Sequence, residues 1–267
     1  MSVLDGHVLI TGASSGIGQA MAIELATRAQ SLVLVARRAD RLMALSSRCR
    51  ALNPNLVVHV MPCDLSNVEK LSELIHAIQS EDIAVTTLIN NAGLGQIGLF
   101  EDLDPTQLEV MLMVNVVALT LLTRAFLPGI VESKGGVLNV SSGFGLTWMP
   151  YFSAYVGTKH FVSGMTASLR AELSGTGVVI SQLCPGPVAT EFVAVAGNPL
   201  GGSAPSWIEL SSEECARIGL RGFERGREII VPGFWAGISI WLGRLTPRFV
   251  LRIFYGIIGK VMRKRLK

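Results

Sequence analysis

Seven short apolar runs, rich in valine, isoleucine and leucine, alternate along this chain with longer segments of helical periodicity. Most of the runs are continuously apolar, which is typical of strands that are covered on both faces. This alternation of strand and helix predicts a parallel sheet with helices packed on both sides. The predicted strands span residues 7–10, 32–36, 56–61, 86–90, 137–140, 178–183 and 228–231.

The segments between these strands have apolar residues at helical spacing. The predicted helices span residues 16–29, 40–51, 67–79, 107–132, 154–174 and 211–225. With 267 residues, 49% of them hydrophobic, the chain can bury a large core. The pattern predicts an α/β fold with one doubly wound domain over residues 1–232 and a C-terminal appendage over residues 233–267.

Cysteine, histidine and the N-terminus bear on compartment and metal binding. The four cysteines show no C-x-x-C spacing, which favours a reducing compartment. The first ten residues contain Asp5 and no basic run, unlike a signal peptide. The four histidines are scattered without metal-ligand spacing. We therefore expect a cytoplasmic protein without a metal site.

The first predicted strand runs directly into a turn of small residues, ITGASSGIGQA at 10–20. Gly12, Gly16 and Gly18 would let the backbone approach a pyrophosphate, whose negative charge suits the free N–H groups of a helix start. Ser14 and Ser15 could donate further hydrogen bonds. Because the same residues suit an ordinary tight turn, this motif alone leaves nucleotide binding and a plain turn both open.

Further stretches give this turn a context. In NVSSGFGLTWMPYFSAYVGTKHF, Tyr155 follows Ser142 by thirteen residues, and Lys159 follows Tyr155 by four. With NNAG at 90–93 and PGPVAT at 185–190, the chain closely resembles the short-chain dehydrogenase/reductase family over roughly residues 5–232. The resemblance implies a Rossmann-type sheet of about seven parallel strands and a nicotinamide-dependent exchange between carbonyl and alcohol.

The spacing of Tyr155 and Lys159 places both on one face of a helix. A tyrosine with the ordinary pKa of about 10 exchanges protons poorly at neutral pH, and a nearby ammonium would lower that pKa. By resemblance, Tyr155 is the general acid in carbonyl reduction and the base in alcohol oxidation. Ser142 polarises the carbonyl, and Lys159 also holds the nicotinamide ribose. Ser141 adjoins Ser142, but the spacing to Tyr155 favours Ser142.

Asn115, in MLMVNVVAL, matches the family's helix asparagine, which helps to hold a water that relays protons to the lysine. A polar residue in so apolar a helix needs a partner, because burying it unpaired costs about 1–3 kcal/mol. A hydrogen-bonded core amide would fit the pattern equally, so both interpretations stay open.

The resemblance also assigns cofactor contacts. Asp64 would meet the adenine amino group, residues 91–93 would pass under the adenosine ribose, and Val188 and Thr190 would bond the carboxamide. The predicted cofactor residues are Gly12, Ser14, Ser15, Gly16, Ile17, Gly18, Arg37, Arg38, Asp64, Leu65, Asn91, Ala92, Gly93, Tyr155, Lys159, Pro185, Gly186, Val188 and Thr190.

The end of the second strand distinguishes the two nicotinamide cofactors. Specificity for NAD needs an acidic residue there, but the chain has Ala36 followed by Arg37 and Arg38. A guanidinium binds a 2′-phosphate through charge-assisted hydrogen bonds, whereas a carboxylate repels it. The sequence therefore predicts NADP(H), unless both arginines are merely solvated.

Three loops indicate the substrate. Residues 93–103 and 143–152 are largely apolar, and residues 191–207 are expected to form a lid. They offer little charge to hold a phosphate or carboxylate, which favours a lipophilic ketone such as an acyl chain, a sterol or a sphingoid base. We expect an NADPH-dependent carbonyl reductase, with the reverse oxidation open. The alternative is a catalytically idle NADP(H)-binding sensor or scaffold.

The tail carries the basic charge of the chain. Residues 244–267 hold eight lysines and arginines and no acid, and since the net charge is +3, residues 1–243 carry −5. Confinement of these residues to a tail argues against nucleic-acid binding. Residues 248–267 fit an amphipathic helix with Arg252 and Lys260 on one stripe and Phe254 and Ile257 facing away. Such a helix suits an anionic membrane surface, a partner subunit of a homo-oligomer, or the rim of the chain's own substrate site.

Overall fold

The computed structural model describes residues 2–197 and 208–266. Within them seven parallel strands form one sheet in the order β3-β2-β1-β4-β5-β6-β7. This confirms the predicted doubly wound α/β fold. The strands are β1 (His7–Thr11), β2 (Ser31–Ala36), β3 (Val57–Pro62), β4 (Thr87–Asn90), β5 (Gly136–Val140), β6 (Val179–Leu183) and β7 (Ile229–Ile230).

Helices cover both faces of this sheet. The helices are α1 (Gly16–Leu25), α2 (Ala39–Leu52), α3 (Val68–Ser80), α4 (Pro105–Leu112), α5 (Leu119–Glu132), α6 (Ser153–Glu172), α7 (Phe192–Ala196), α8 (Ser212–Glu224), α9 (Phe234–Leu245) and α10 (Arg248–Leu266).

Alternate residues of one strand enter different cores, as the period of a strand requires. Val8 and Ile10 of β1 are buried in the core beneath α1, α2 and α8. Leu9, between them, is buried in the core on the other face, with residues of α3 and α5. Burial on both faces explains why the strand sequences are continuously apolar.

The predicted helix over 107–132 is wrong in detail. It begins two residues earlier, at Pro105, where the Asp104 side chain accepts a hydrogen bond from the Thr106 N–H at 2.8 Å. A π-helical segment, Met113–Ala118, then separates α4 from α5. This segment has six residues, fewer than the roughly 11–18 over which apolar spacing is judged, so periodicity does not reveal it.

The sheet order places the functional crevice. β1 lies between β2 and β4, so the connections on its two sides run in opposite directions. In open α/β sheets, ligands bind outside the carboxyl ends of the strands at this switch point. The glycine-rich turn after β1 and the segment 91–95 after β4 meet there.

Part of the tail packs on the chain itself. The Tyr151 hydroxyl donates to the carbonyl oxygen of Gly259 on α10, and the Trp148 and Tyr255 rings lie 4.5 Å apart. Arg263, also on α10, pairs with Glu101 of the predicted substrate loop 93–103. These contacts fit the interpretation that the tail lies over the chain's own substrate-site rim. Lys267, the last residue of the predicted amphipathic helix over 248–267, lies outside the described residues.

A test of length and hydropathy selects one segment of the described chain, Pro105–Glu132, as able to cross a membrane. Of its most apolar 18-residue window, 44% is buried inside the protein. Buried core helices pass the same test, and Asn115 of this segment is bonded within the crevice, as described below.

Candidate active site

The glycine-rich turn is built for close backbone approach. Gly12 and Gly16 have φ values of +65° and +56°, which side-chain-bearing residues rarely adopt. A Cβ on Gly12 would lie 2.8 Å from the Cα of Ala92, and one on Gly16 would lie 2.9 Å from Cγ2 of Thr190. The turn is therefore held tightly between the segments that follow β4 and β6, and this favours a ligand-binding turn over an ordinary one.

The start of α1 fits a phosphate group. Ser15 is its N-terminal capping residue, yet its side chain bonds no backbone N–H of the helix. Instead, Arg38 Nη2 donates to the hydroxyls of Ser15, at 2.9 Å, and Ser14, at 3.2 Å. Helix-start N–H groups, two hydroxyls and a guanidinium thus meet at one turn, which is the donor set that binds phosphates. Arg37 is exposed beside it.

The predicted catalytic residues come from β5 and α6. Ser142 follows the end of β5, and Tyr155 and Lys159 lie in the first two turns of α6. All three are buried, and the side chains of Ser142 and Tyr155 lie close enough to interact. Lys159 Nζ lies 5.7 Å from the centre of the Tyr155 ring and donates to the carbonyl oxygen of Val140 at 2.9 Å.

The two adjacent serines have different environments. Ser141 Oγ lies 3.0 Å from Ser163 Oγ and 3.1 Å from the carbonyl oxygen of Lys159, so it joins β5 to α6. Ser142 Oγ instead accepts from the N–H of Phe144 at 3.1 Å and interacts with Tyr155. This placement favours the predicted choice of Ser142 for the substrate oxygen.

Asn115 lies in the π-helical segment and is buried. Its Oδ1 accepts from the N–H of Leu94 at 2.8 Å, and its Nδ2 donates to the Leu94 carbonyl at 2.8 Å and to Thr158 Oγ1 at 3.1 Å. The amide therefore ties the segment after β4 to α6. Its Oδ1 also lies with Lys159 Nζ close to Gly93, which fits the predicted relay position.

The expected lowering of the Tyr155 pKa is wrong for this arrangement. Burial raises the pKa of Tyr155 to about 12, although its hydrogen bond with Ser142 acts in the opposite direction. Burial also lowers the pKa of Lys159 to about 8. The lysine interacts with the tyrosine ring and a backbone carbonyl rather than with the phenol oxygen, which explains why its charge does not favour phenolate here.

A pH dependence follows from the raised pKa of Tyr155. A proton donor is present below its pKa, so ketone reduction should keep its rate between about pH 6 and 8. Alcohol oxidation needs the deprotonated tyrosine and should accelerate as the pH rises through that range and above. Initial rates of ketone reduction and alcohol oxidation, at saturating cofactor and a series of pH values, measure this pH dependence. Oxidation that slows as the pH rises from about 6 to 9 would contradict the assignment.

Most other predicted cofactor residues lie along the same crevice. Asn91 Nδ2 donates to the carbonyl oxygen of Thr11 at 2.9 Å, so its side chain holds the turn itself. Asp64 accepts from the N–H and hydroxyl of Ser66. Burial acts to raise the pKa of Asp64, but these bonds and the charges of Arg37 and Lys70 together hold it below its usual value. The predicted lid is described only up to Gly197; residues 198–207 lie outside the described residues.

Some residues of this crevice were not predicted. Thr11 Oγ1 accepts from the N–H groups of Asn91 and Ala92, each at 3.0 Å, and so joins β1 to β4. Tyr151 has φ +70°, and its carbonyl accepts from the Gly98 N–H at 3.0 Å. Thr11 stands beside the glycine motif, where it could have been suspected. Tyr151 gives no such signal, because its conformation depends on contacts with distant segments.

A cavity of about 410 Å³ lies between the segment after β4 and α7, with Ile97, Leu103 and Val195 among its lining residues. Phe192 contacts both Gly95, at the cavity wall, and the ring of Tyr155, whose centroid is 5.3 Å from its own. Among the described residues, no group of three or more His, Cys, Asp or Glu could hold a metal ion.

Comparison with known proteins agrees with this geometry. The family model of short chain dehydrogenases matches residues 6–199. The human "Dehydrogenase/reductase SDR family member 7" is 32% identical over 224 residues, which are 80% of this chain and 66% of that protein, just under two thirds of its length. "11-beta-hydroxysteroid dehydrogenase-like 3" of Arabidopsis thaliana is 35% identical over 244 residues, 91% of this chain and 78% of that protein.

Solved structures give the same result. A short-chain dehydrogenase from Sphingobium yanoikuyae in complex with NADPH has a TM-score of 0.78 and 30% identity, covering 97% of this chain and 95% of that one. The bulky-bulky ketone specific alcohol dehydrogenase from Comamonas testosteroni has a TM-score of 0.73 and 29% identity, covering 87% and 90%. With its sheet, its crevice and a family model matched over most of its length, this chain belongs to the short-chain dehydrogenase/reductase family.

Proposed function

We propose that this oxidoreductase reduces a lipophilic ketone with NADPH and can run the reverse oxidation. The observation that carries the proposal is the meeting of Ser142, Tyr155 and Lys159 beside the glycine-rich turn. In this proposal residues 1–232 are the catalytic domain, and residues 233–267 are an appendage at its rim.

Each catalytic residue has a separate role in the proposed reduction. The bound cofactor supplies the hydride to the carbonyl carbon. Ser142 donates a hydrogen bond to the carbonyl oxygen, and Tyr155, protonated at neutral pH, gives its proton to that oxygen as negative charge develops there. Lys159 Nζ lies with Asn115 Oδ1 beside Gly93. In this scheme Lys159 gives a proton back to Tyr155 and regains one from solvent through a water held at Asn115.

NADPH is favoured over NADH by the charge at the end of β2. Arg38 already bonds the serines of the glycine-rich turn, and Arg37 lies next to it. A 2′-phosphate at this place would accept charge-assisted hydrogen bonds from the two guanidinium groups. The Sphingobium relative binds NADPH, which supports the same choice here.

A bulky apolar substrate suits the walls of the site. The cavity beside Phe192 is lined by Ile97, Leu99, Leu103 and Val195. Gln96 Oε1 is buried on this wall and has no hydrogen-bond partner within the described part of the chain, so it could accept a hydrogen bond from a distal hydroxyl of the substrate. The names of the Comamonas and Arabidopsis relatives refer to a bulky ketone and to hydroxysteroids, which are substrates of this size.

A panel of ketones tests the reaction class. Loss of NADPH absorbance is followed with acetone-sized ketones, aryl ketones and sterol ketones at equal concentrations. We expect kcat/KM to rise with the apolar size of the ketone and to be far lower with NADH. Tight NADPH binding without turnover on any carbonyl would instead support the idle sensor or scaffold.

We further propose that the outer face of α9 and α10 rests on an anionic membrane surface. Leu242 and Leu245 on α9, and Phe249, Ile253 and Ile257 on α10, are each 60–76% exposed. Their spacing places each group on one face of its helix. Arg252, Lys260 and Lys264 are exposed on α10, so an apolar face and basic groups occur together, as surface-bound helices require.

Vesicle sedimentation measures this association. The protein should sediment with phosphatidylserine vesicles at low salt and partly leave them as salt rises, since each basic residue near the surface contributes about 1 kcal/mol. Ile253→Ser combined with Ile257→Ser should remove most of the binding without loss of fold, because both side chains are exposed. Wild-type protein that does not sediment with the vesicles at low salt would contradict the proposal. If wild type proved to be an oligomer and the double variant a smaller one, the face would be a subunit interface.

A further inference from the structure

Glu191, the residue before α7, holds two arginines at the cofactor crevice. Its Oε2 lies 2.8 Å from Arg38 Nη1, and its Oε1 lies 2.7 Å from Arg41 Nη1. One carboxylate thus uses both oxygens on two guanidinium groups. This double pairing lowers the pKa of Glu191 to about 2, so the carboxylate is ionised throughout the neutral range.

The Arg38 side chain contacts both this carboxylate and the glycine-rich turn. Its Nη1 faces Glu191, while its Nε and Nη2 face the hydroxyls of Ser14 and Ser15 at 2.9–3.3 Å. The planar guanidinium fork is therefore shared between a carboxylate and the turn. A phosphate that binds the outer edge of Arg38 would need the position that the Glu191 carboxylate occupies.

The chain around Glu191 connects this cluster to the catalytic tyrosine. Thr190, the preceding residue, packs closely over Gly16 in the turn. Phe192, the following residue, packs against the ring of Tyr155 with centroids 5.3 Å apart. Glu191 is thus placed between the cofactor turn and the reaction centre.

We propose that Glu191 is an internal counter-ion that competes with the 2′-phosphate of the cofactor for Arg38 and Arg41. This inference rests on the proposed use of NADP(H). The 2′-phosphate displaces the carboxylate when NADP(H) binds, whereas NAD(H), which lacks that phosphate, leaves it in place. Glu191 therefore reduces the margin by which the site prefers NADP(H), and it is a specificity-determining residue that the cofactor motifs do not include.

The test uses 2′,5′-ADP, which carries the 2′-phosphate without the nicotinamide, and 5′-AMP, which lacks it. Titration calorimetry measures both ligands on wild type and on Glu191→Gln, which keeps the shape of the side chain and removes its charge. Because solvent-exposed ion pairs contribute only modestly, we expect the variant to bind 2′,5′-ADP roughly three- to tenfold tighter. Its affinity for 5′-AMP should change by less than about twofold.

Glu224→Gln is the matched control. Glu224 also pairs with an arginine, Arg28, at 2.5 Å, but beside Asp5 before β1, at the opposite end of the strands. This variant should bind both ligands as wild type does. In an Arg38→Ala background, the gain from Glu191→Gln should shrink, because residues that share one interaction are not additive.

The outcomes separate this inference from the proposed function. If wild type prefers 2′,5′-ADP but Glu191→Gln leaves its affinity unchanged or weakens it, the counter-ion proposal fails and the NADP(H) assignment stands. An equal gain for both ligands also overturns it, because the carboxylate would then repel phosphate in general. If wild type shows no preference for 2′,5′-ADP, both proposals fail together.

Discussion

Tyr155→Phe is expected to lower kcat for ketone reduction by about 10²- to 10⁴-fold, the usual contribution of a positioned general acid. The substitution removes one hydroxyl from a buried ring that also packs against Phe192. It leaves the glycine-rich turn and Arg38 untouched, so the Kd for NADPH should change by less than about threefold. Stopped-flow turnover and cofactor titration on the same preparation measure the two quantities.

Tyr255→Phe is the control for this substitution. Tyr255 lies on α10, and its ring packs on Trp148 rather than on Ser142, Tyr155 or Lys159. Removal of its hydroxyl should leave kcat within about twofold of wild type. Undiminished reduction by Tyr155→Phe, with the fold intact, would remove Tyr155 from the mechanism.

Arg38→Ala and Arg37→Ala should each weaken NADPH binding by about tenfold to a hundredfold, since a hydrogen bond to a charged group is worth roughly 1.5–3 kcal/mol. NADH binding should change far less, because it lacks the 2′-phosphate. Arg38→Ala should have the larger effect, as Arg38 bonds both serines of the turn while Arg37 is exposed. Fluorescence titration with both cofactors gives the ratio of the Kd for NADH to the Kd for NADPH in each variant.

Arg48→Ala provides the reference for a general loss of positive charge. Arg48 is exposed on α2 more than two turns beyond Arg38. The Arg48→Ala substitution should change the Kd for NADPH and the Kd for NADH only slightly and by the same factor. Equal affinity of wild type for NADH and NADPH would show that the two arginines do not bind a 2′-phosphate.

The sheet could be predicted because its strands are buried on both faces. A strand such as β2, with all six residues buried, has no polar alternation, and the glycine-rich turn after β1 marks where the first helix begins. The spacing of Ser142, Tyr155 and Lys159 is short-range within one strand–helix unit. The spacing along the sequence therefore indicated that these three side chains lie close together.

Features that depend on contacts between distant segments could not be predicted. The π-helical segment around Asn115 is stabilised by bonds to Leu94 and Thr158, and the positive φ of Tyr151 is held by Gly98 and Gly259. The pairing of Glu191 with Arg38 joins residues 153 positions apart. The pKa of Tyr155 also depends on how completely the ring is buried, which spacing to Lys159 does not reveal.

Deuterium transfer tests the central claim most directly. The protein is incubated with a bulky apolar ketone, taken from the panel, and NADPH that carries deuterium on the hydride-donating carbon. The account predicts an alcohol with one deuterium on the carbinol carbon, in a single configuration, formed by wild type and by Tyr255→Phe but at least about a hundredfold more slowly by Tyr155→Phe. Unlabelled alcohol, or labelled alcohol formed equally fast by Tyr155→Phe, would contradict it.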